Sequence, residues 1–118
     1  MTGQYPARLR LTDFIAGQNR QWARMLVPDW DKGLKHQLTT LPEALKAAGY
    51  KTGFVGKWHL ERRGHKDEDA PSKHGFEVEY KRPAGKGFFL TDAAAKKSGQ
   101  SYLTDYWTDR AIEFLEDS

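Results

Sequence analysis

The stretch Leu38–Trp58, LTTLPEALKAAGYKTGFVGKW, leaves a chain little freedom. Thr40 is a good N-cap, and Glu43 three residues on completes a capping box. Pro42 falls in the first turn, where its missing N–H costs nothing. Leu41, Leu45 and Ala48 recur at spacings of four and three, the apolar stripe of a helix over 40–48. Gly49 suits a left-handed C-terminal cap. A short apolar run, YKTGFVGKW, follows at once and reads as a strand over 50–58. A capped helix followed by a central strand specifies an α/β unit, with the helix packed on the strand.

The end of that strand is chemically odd. If the extended chain continues from Tyr50 to Leu60, Lys57 and His59, two apart, project from one face. An ammonium and an imidazole then stand side by side, while Trp58 points the other way into the core. From the pattern alone, a lysine at a strand end is most often a surface residue, and a lone histidine beside it is more often structural than catalytic. Gly53 and Gly56 fall inside the run, and glycine in a strand marks a close approach of backbone or ligand.

The rest of the chain is less regular. Residues 1–37 are broken by Pro6 and Pro28 and punctuated by Gly3, Gly17 and Gly33. They read as loop, with a short helical turn near Asn19–Met25. ERRGHKDEDAPSKHG (61–75) reads as a solvated loop of mixed charge, and 76–100 as short strands or irregular chain. SYLTDYWTDRAIEFLED (101–117) reads as a C-terminal helix, capped by Thr104, with Asp105 in its positive first turn. Leu103, Trp107, Ala111, Phe114 and Leu115 share one face of it.

Composition sets the outer limits. The 118 residues make one domain at most, and four Trp, five Tyr and six Phe call for a packed core. No cysteine is present, so disulfides, thiolate metal sites and cysteine nucleophiles are excluded. No apolar run spans a bilayer and the N-terminus has no signal-peptide core, so no membrane partner is expected. The net charge of +3 suits anions in general and does not single out nucleic acid. His65 and His74 flank Asp67, Glu68 and Asp69, but a solvated charged loop explains them better than a metal site. Arg8 and Arg10 are open to phosphate or nucleic acid, or are ordinary loop residues. Asp105 and Asp109 need no functional reason.

Four segments, in order, resemble the sulfatase family: TGQYPAR at the start, TLPEALKAAGYKTGFVGKWHL in the middle, KHGFE at Lys73–Glu77, and SYLTDYWTDRAIEFLE near the end. The GKWH stretch is the most specific of them. The resemblance implies part of an alkaline-phosphatase-like α/β sandwich, with residues 1–118 an internal fragment of the catalytic domain. The family's C-x-P-S-R motif, whose first residue becomes formylglycine, precedes T-G-x-Y-P; here Met1 precedes Thr2, so the nucleophile is expected to be missing. Calcium and formylglycine are expected in the full-length family member, and no cofactor or metal site in this fragment.

By the same resemblance the substrate is a sulfate ester. Lys57 would contact the sulfate and the formylglycine side chain, and His59 would exchange a proton with the formylglycine hydrate. Histidine suits that role because its unperturbed pKa of about 6.5 lies near neutral pH. The chain alone is expected to be inactive. It is also expected to self-associate through unpaired sheet edges. A non-enzymatic module for anions or sulfated glycans is the alternative; a nucleic-acid-binding domain ranks last, since no motif supports it.

Overall fold

The computed structural model describes residues 1–14, 17, 22, 24–25, 29–62, 64–65, 67–83 and 85–117. The expected turn at Asn19–Met25 lies largely outside them.

Helix α1 (Leu41–Ala47) begins and ends as its sequence dictates. The Glu43 amide donates to Thr40 Oγ1, and Glu43 Oε2 accepts from the Thr40 amide at 2.7 Å. At the other end Gly49 takes φ +86°. Its amide bonds Lys46 O and that of Tyr50 bonds Leu45 O, both at 3.0 Å, the paired bonds of a Schellman motif. The expected stripe does not face a core, however: Leu41 and Leu45 are exposed, and Pro42 is the buried residue of α1. The start of α1 is tied to a 3-10 turn, Pro71–His74, where Thr40 Oγ1 donates to His74 O at 2.7 Å, and to Met1 O, which accepts from the Leu41 amide at 2.7 Å.

Strand β1 is only Gly53–Val55, not 50–58. Gly56 at φ +120° turns the backbone out of the extended region, so the alternation that would align Lys57 with His59 stops before either residue. β1 pairs in parallel with β2 (Val78–Tyr80), Gly53 opposite Val78 and Val55 opposite Tyr80. This sheet has two strands among the described residues, so β1 has one strand neighbour there. Gly53 is required by packing: a Cβ there would stand 2.8 Å from the Phe114 ring of the C-terminal helix.

The C-terminal third is held differently. β3 (Gly85–Lys86) and β4 (Phe89–Leu90) form an antiparallel hairpin turning through Gly87 at φ +61°. Helix α2 (Asp92–Ser98) follows, where irregular chain or strand was expected. Its signals are local: Thr91 accepts from the Ala94 amide at 3.3 Å, and Gly99 closes it at φ +76°. Helix α3 (Leu103–Glu116) starts after Tyr102, not Thr104, with no side-chain cap bond. Leu103 is buried there, as is Leu90, while Leu115, expected on the same buried face, is exposed.

Buried hydrophobic side chains are few among the described residues: Trp30, Leu34, Ala70, Leu90 and Leu103. The radius of gyration, 17.1 Å, exceeds the about 13.5 Å of a compact chain of this length. Among the described residues no helix is long and apolar enough to cross a membrane.

Candidate active site

Beyond β1 the chain runs Gly56–Lys57–Trp58–His59–Leu60 without regular structure. Lys57 and His59 are exposed, and neither makes a hydrogen bond or ion pair among the described residues. Trp58 between them turns inward, as the sequence implies. Its ring stands edge-on to Phe54 at 5.3 Å and to Phe76 at 6.1 Å, and tilts against His74 at 5.5 Å. Its Nε1 donates to Asp69 O at 2.7 Å. The turn thus puts its apolar residue into the protein and its two polar residues into solvent, by a bent path rather than by strand alternation.

His59 has φ +52°, one of two non-glycine residues with positive φ among those described. That conformation costs an L-residue about 1–2 kcal/mol, so the surroundings must impose it. Leu34 N donates to Leu60 O at 3.0 Å on one side. On the other lies Asp69, whose carboxylate is fully buried. Arg62 reaches it with Nε at 2.7 Å, Nη2 at 2.8 Å and its backbone amide at 2.9 Å. His36 Nε2 lies 3.2 Å from Asp69 Oδ1, the oxygen that Arg62 Nη2 also reaches. The Arg62 guanidinium bonded to it holds the Asp69 carboxyl far below the usual carboxylate range, against the opposing effect of burial.

The segment read as a solvated loop is therefore wrong at two of its residues, Asp69 and His74, which are fully buried. His74 is stacked on His36, ring centroids 4.8 Å apart and planes 6° apart. Neither of its ring nitrogens has a hydrogen-bond partner. Burial, and then the neighbouring His36, push its pKa below the ordinary histidine value. His65, the other histidine weighed, pairs with Glu68 at 2.7 Å near the surface. No group of three or more acidic or histidine side chains converges among the described residues as an ion would require. The described residues offer no donor set that fits calcium. Sequence patterning missed Asp69 and Arg62 because a charge that finds its partner seven residues away looks, in one dimension, like any solvated charge.

A sulfatase family profile matches residues 1–118, the whole chain. The chain belongs to the sulfatase family. An arylsulfatase of Hemicentrotus pulcherrimus is 31% identical over 142 aligned residues, covering 100% of this chain and 24% of the relative. An N-acetylgalactosamine-6-sulfatase of Sus scrofa is 51% identical over 99 residues, covering 64% of this chain and 18% of the relative. Arylsulfatase G of Canis lupus familiaris is 42% identical over 96 residues, covering 71% and 17%. The chain thus spans a quarter or less of the length of these curated relatives. Among the described residues the fold is a small α/β one with three helices and short strands, consistent with part of a sulfatase domain.

Proposed function

We propose that the Gly56–Leu60 turn is the sulfate-ester contact of a sulfatase, with Lys57 holding the sulfuryl oxygens and His59 carrying a proton. The observation behind this reading is the pair of solvent-facing polar side chains on either side of a half-buried, inward-turned Trp58, at the carboxyl end of a parallel strand. Ligand sites of open α/β sheets gather at that end. Cleaving a sulfate ester gathers negative charge on the sulfuryl oxygens, and a fixed ammonium favours that charge. The formylglycine hydrate of the family supplies the nucleophile. What this chain contributes is a cation for the ester and an imidazole that accepts and returns a proton. Within the complete domain, β1 and its neighbours belong to a larger alkaline-phosphatase-like sandwich.

Neither C-x-P-S-R nor its serine version occurs in the 118 residues. Purified alone, the chain is expected to hydrolyse an aryl sulfate no faster than buffer. Turnover that disappears in Lys57→Ala and in His59→Ala would sink the claim that a nucleophile outside this sequence is essential. A second reading, a binding module for sulfated glycans, has the same exposed Lys57 in its favour. It predicts salt-dependent retention on heparin and none on duplex DNA.

Self-association belongs to the same proposal. The β1–β2 sheet is two-stranded, and Leu41, Tyr50 and Leu115 are exposed apolar side chains. A dimer would cover such surface.

A further inference from the structure

We infer that Asp69 is a positioning residue for His59, acting through Trp58 and Arg62. The inference rests on the proposed role of His59 only for what the histidine is held ready to do. His59 adopts a left-handed backbone that its own side chain does not repay, since it makes no hydrogen bond among the described residues. The residue before it and the residue three after it are tied to one and the same aspartate. Trp58 donates to the Asp69 carbonyl at 2.7 Å, and Arg62 donates to the Asp69 carboxylate with both its side chain and its backbone. A guanidinium alone tolerates some rotation and sliding. A backbone amide bonded to the same Oδ2 at 2.9 Å fixes where along the chain the bridge closes.

Asp69 is itself anchored. Its amide donates to His65 O at 2.9 Å, and the His65 amide donates to Arg62 O at 3.0 Å. From the opposite side, residues 33–34 press on the same turn: a Cβ on Gly33 would meet Arg62 Cγ at 2.6 Å. The bridge closes a loop of only seven residues, so it contributes little by loop-closure entropy. A buried ion pair is poor evidence for overall stability, and specifying one arrangement is its better-attested use. Here the arrangement specified is the bend that carries Lys57 and His59 into solvent on either side of an inward Trp58.

The test is a double-mutant cycle on the 118-residue chain, read in the folding equilibrium and in the His59 backbone by NMR. Glycine tolerates positive φ and alanine does not. In the otherwise unchanged chain, His59→Gly should therefore exceed His59→Ala in folding equilibrium constant by about fivefold. In the Arg62→Gln or Asp69→Asn background that preference should vanish, because the released turn returns residue 59 to negative φ. In parallel, the left-handed coupling and shift signature of His59 should be lost in Arg62→Gln and partly restored in Arg62→Lys, while α1 and α3 signals stay put. Arg62 is half-exposed, so Arg62→Gln carries the test if Asp69→Asn fails to fold. An unchanged glycine preference in Arg62→Gln, or a persistent His59 signature there, would overturn the inference. A chain that passes this cycle but binds no inorganic sulfate would refute the proposed function and leave the positioning role standing.

Discussion

Residues 40–80 and residues 85–117 are built on different principles. The first segment holds all four buried polar residues of the described chain, Thr40, Thr52, Asp69 and His74. Thr40 and Thr52 both bond backbone carbonyls of the 3-10 region, His74 O at 2.7 Å and Gly75 O at 2.8 Å. Asp69 collects Arg62 and His36. The second segment hides Leu90 and Leu103 and is joined largely by backbone bonds of its hairpin, its helices and the Leu90–Ser101 and Leu103–Phe88 links. Directional bonds among buried groups admit one arrangement, whereas apolar burial admits several of similar energy. The candidate site sits on the directional segment; the second segment has a half-buried side-chain bond, Gln100 Nε2 to Asp109 Oδ2 at 2.7 Å, and no fully buried polar residue among those described.

The contrast breaks most visibly at Gly75. It has φ +94°, and a Cβ would lie 2.4 Å from the Glu43 backbone nitrogen. Gly75→Ala must push the first turn of α1 away from the 3-10 turn, and a loss above about 3 kcal/mol is expected in chemical denaturation. Asp69→Ala comes next, at about 3 kcal/mol. The surviving Arg62 is half-exposed, which keeps the loss at the low end for a broken buried pair. Leu103→Ala should cost about 2 kcal/mol by cavity formation. Hydrogen exchange separates these two: Asp69→Ala should deprotect 56–80, and Leu103→Ala should deprotect α3 and the β3–β4 hairpin while sparing the turn. Equal deprotection of both segments by either variant would show that they are not distinct.

Thr40→Ala is a smaller probe. It removes an N-cap acceptor worth about 1 kcal/mol and the bond to His74 O, worth about 1 kcal/mol more. Fraying of α1 with β2 untouched is the expected exchange pattern.

The smallest effect is a pH dependence. His74 has its pKa lowered by burial and by His36, and Glu43 and Asp69 oppose that shift. Because the folded pKa lies below the unfolded value of about 6.5, the unfolded chain takes up the proton first as pH falls. Stability is therefore full above about 6.5 and declines below it. Asp69, also depressed, holds its contribution until pH falls below the unfolded carboxylate value of about 3.9. His74→Phe leaves no ring nitrogen unpartnered, so it should cost little at pH 7.5 and flatten the decline between pH 6.5 and 5. A decline of equal slope in His74→Phe would place its origin elsewhere.

How much of this was legible in one dimension follows from the range of the interactions. The capping box at Thr40–Glu43 and the glycine cap at Gly49 are local, and both stand where the sequence put them. The same local grammar at Thr91 and Gly99 marks α2 and went unread, because short aromatic patches around it suggested strands. β1 reads too long because an apolar run does not reveal that Gly56 leaves the extended region. The α3 start was misplaced by two residues, since Thr104 is a plausible cap and the bond from Leu103 N to Phe88 O that ties down the helix start comes from outside the segment. The Arg62–Asp69 bridge was invisible because burial of a charge is decided by the third dimension. GKWH was legible as a special segment, but its geometry depends on partners at 34 and 69.

Titrating the 118-residue chain with inorganic sulfate, followed in amide and imidazole NMR, decides whether the turn after β1 is where a sulfate group is met. Saturable shifts are expected at Gly56–Leu60 and the His59 ring, abolished by Lys57→Ala and weakened as ionic strength rises. Saturable shifts centred instead on Arg8 and Arg10 and unchanged by Lys57→Ala, or no saturable shift at the turn, would contradict it.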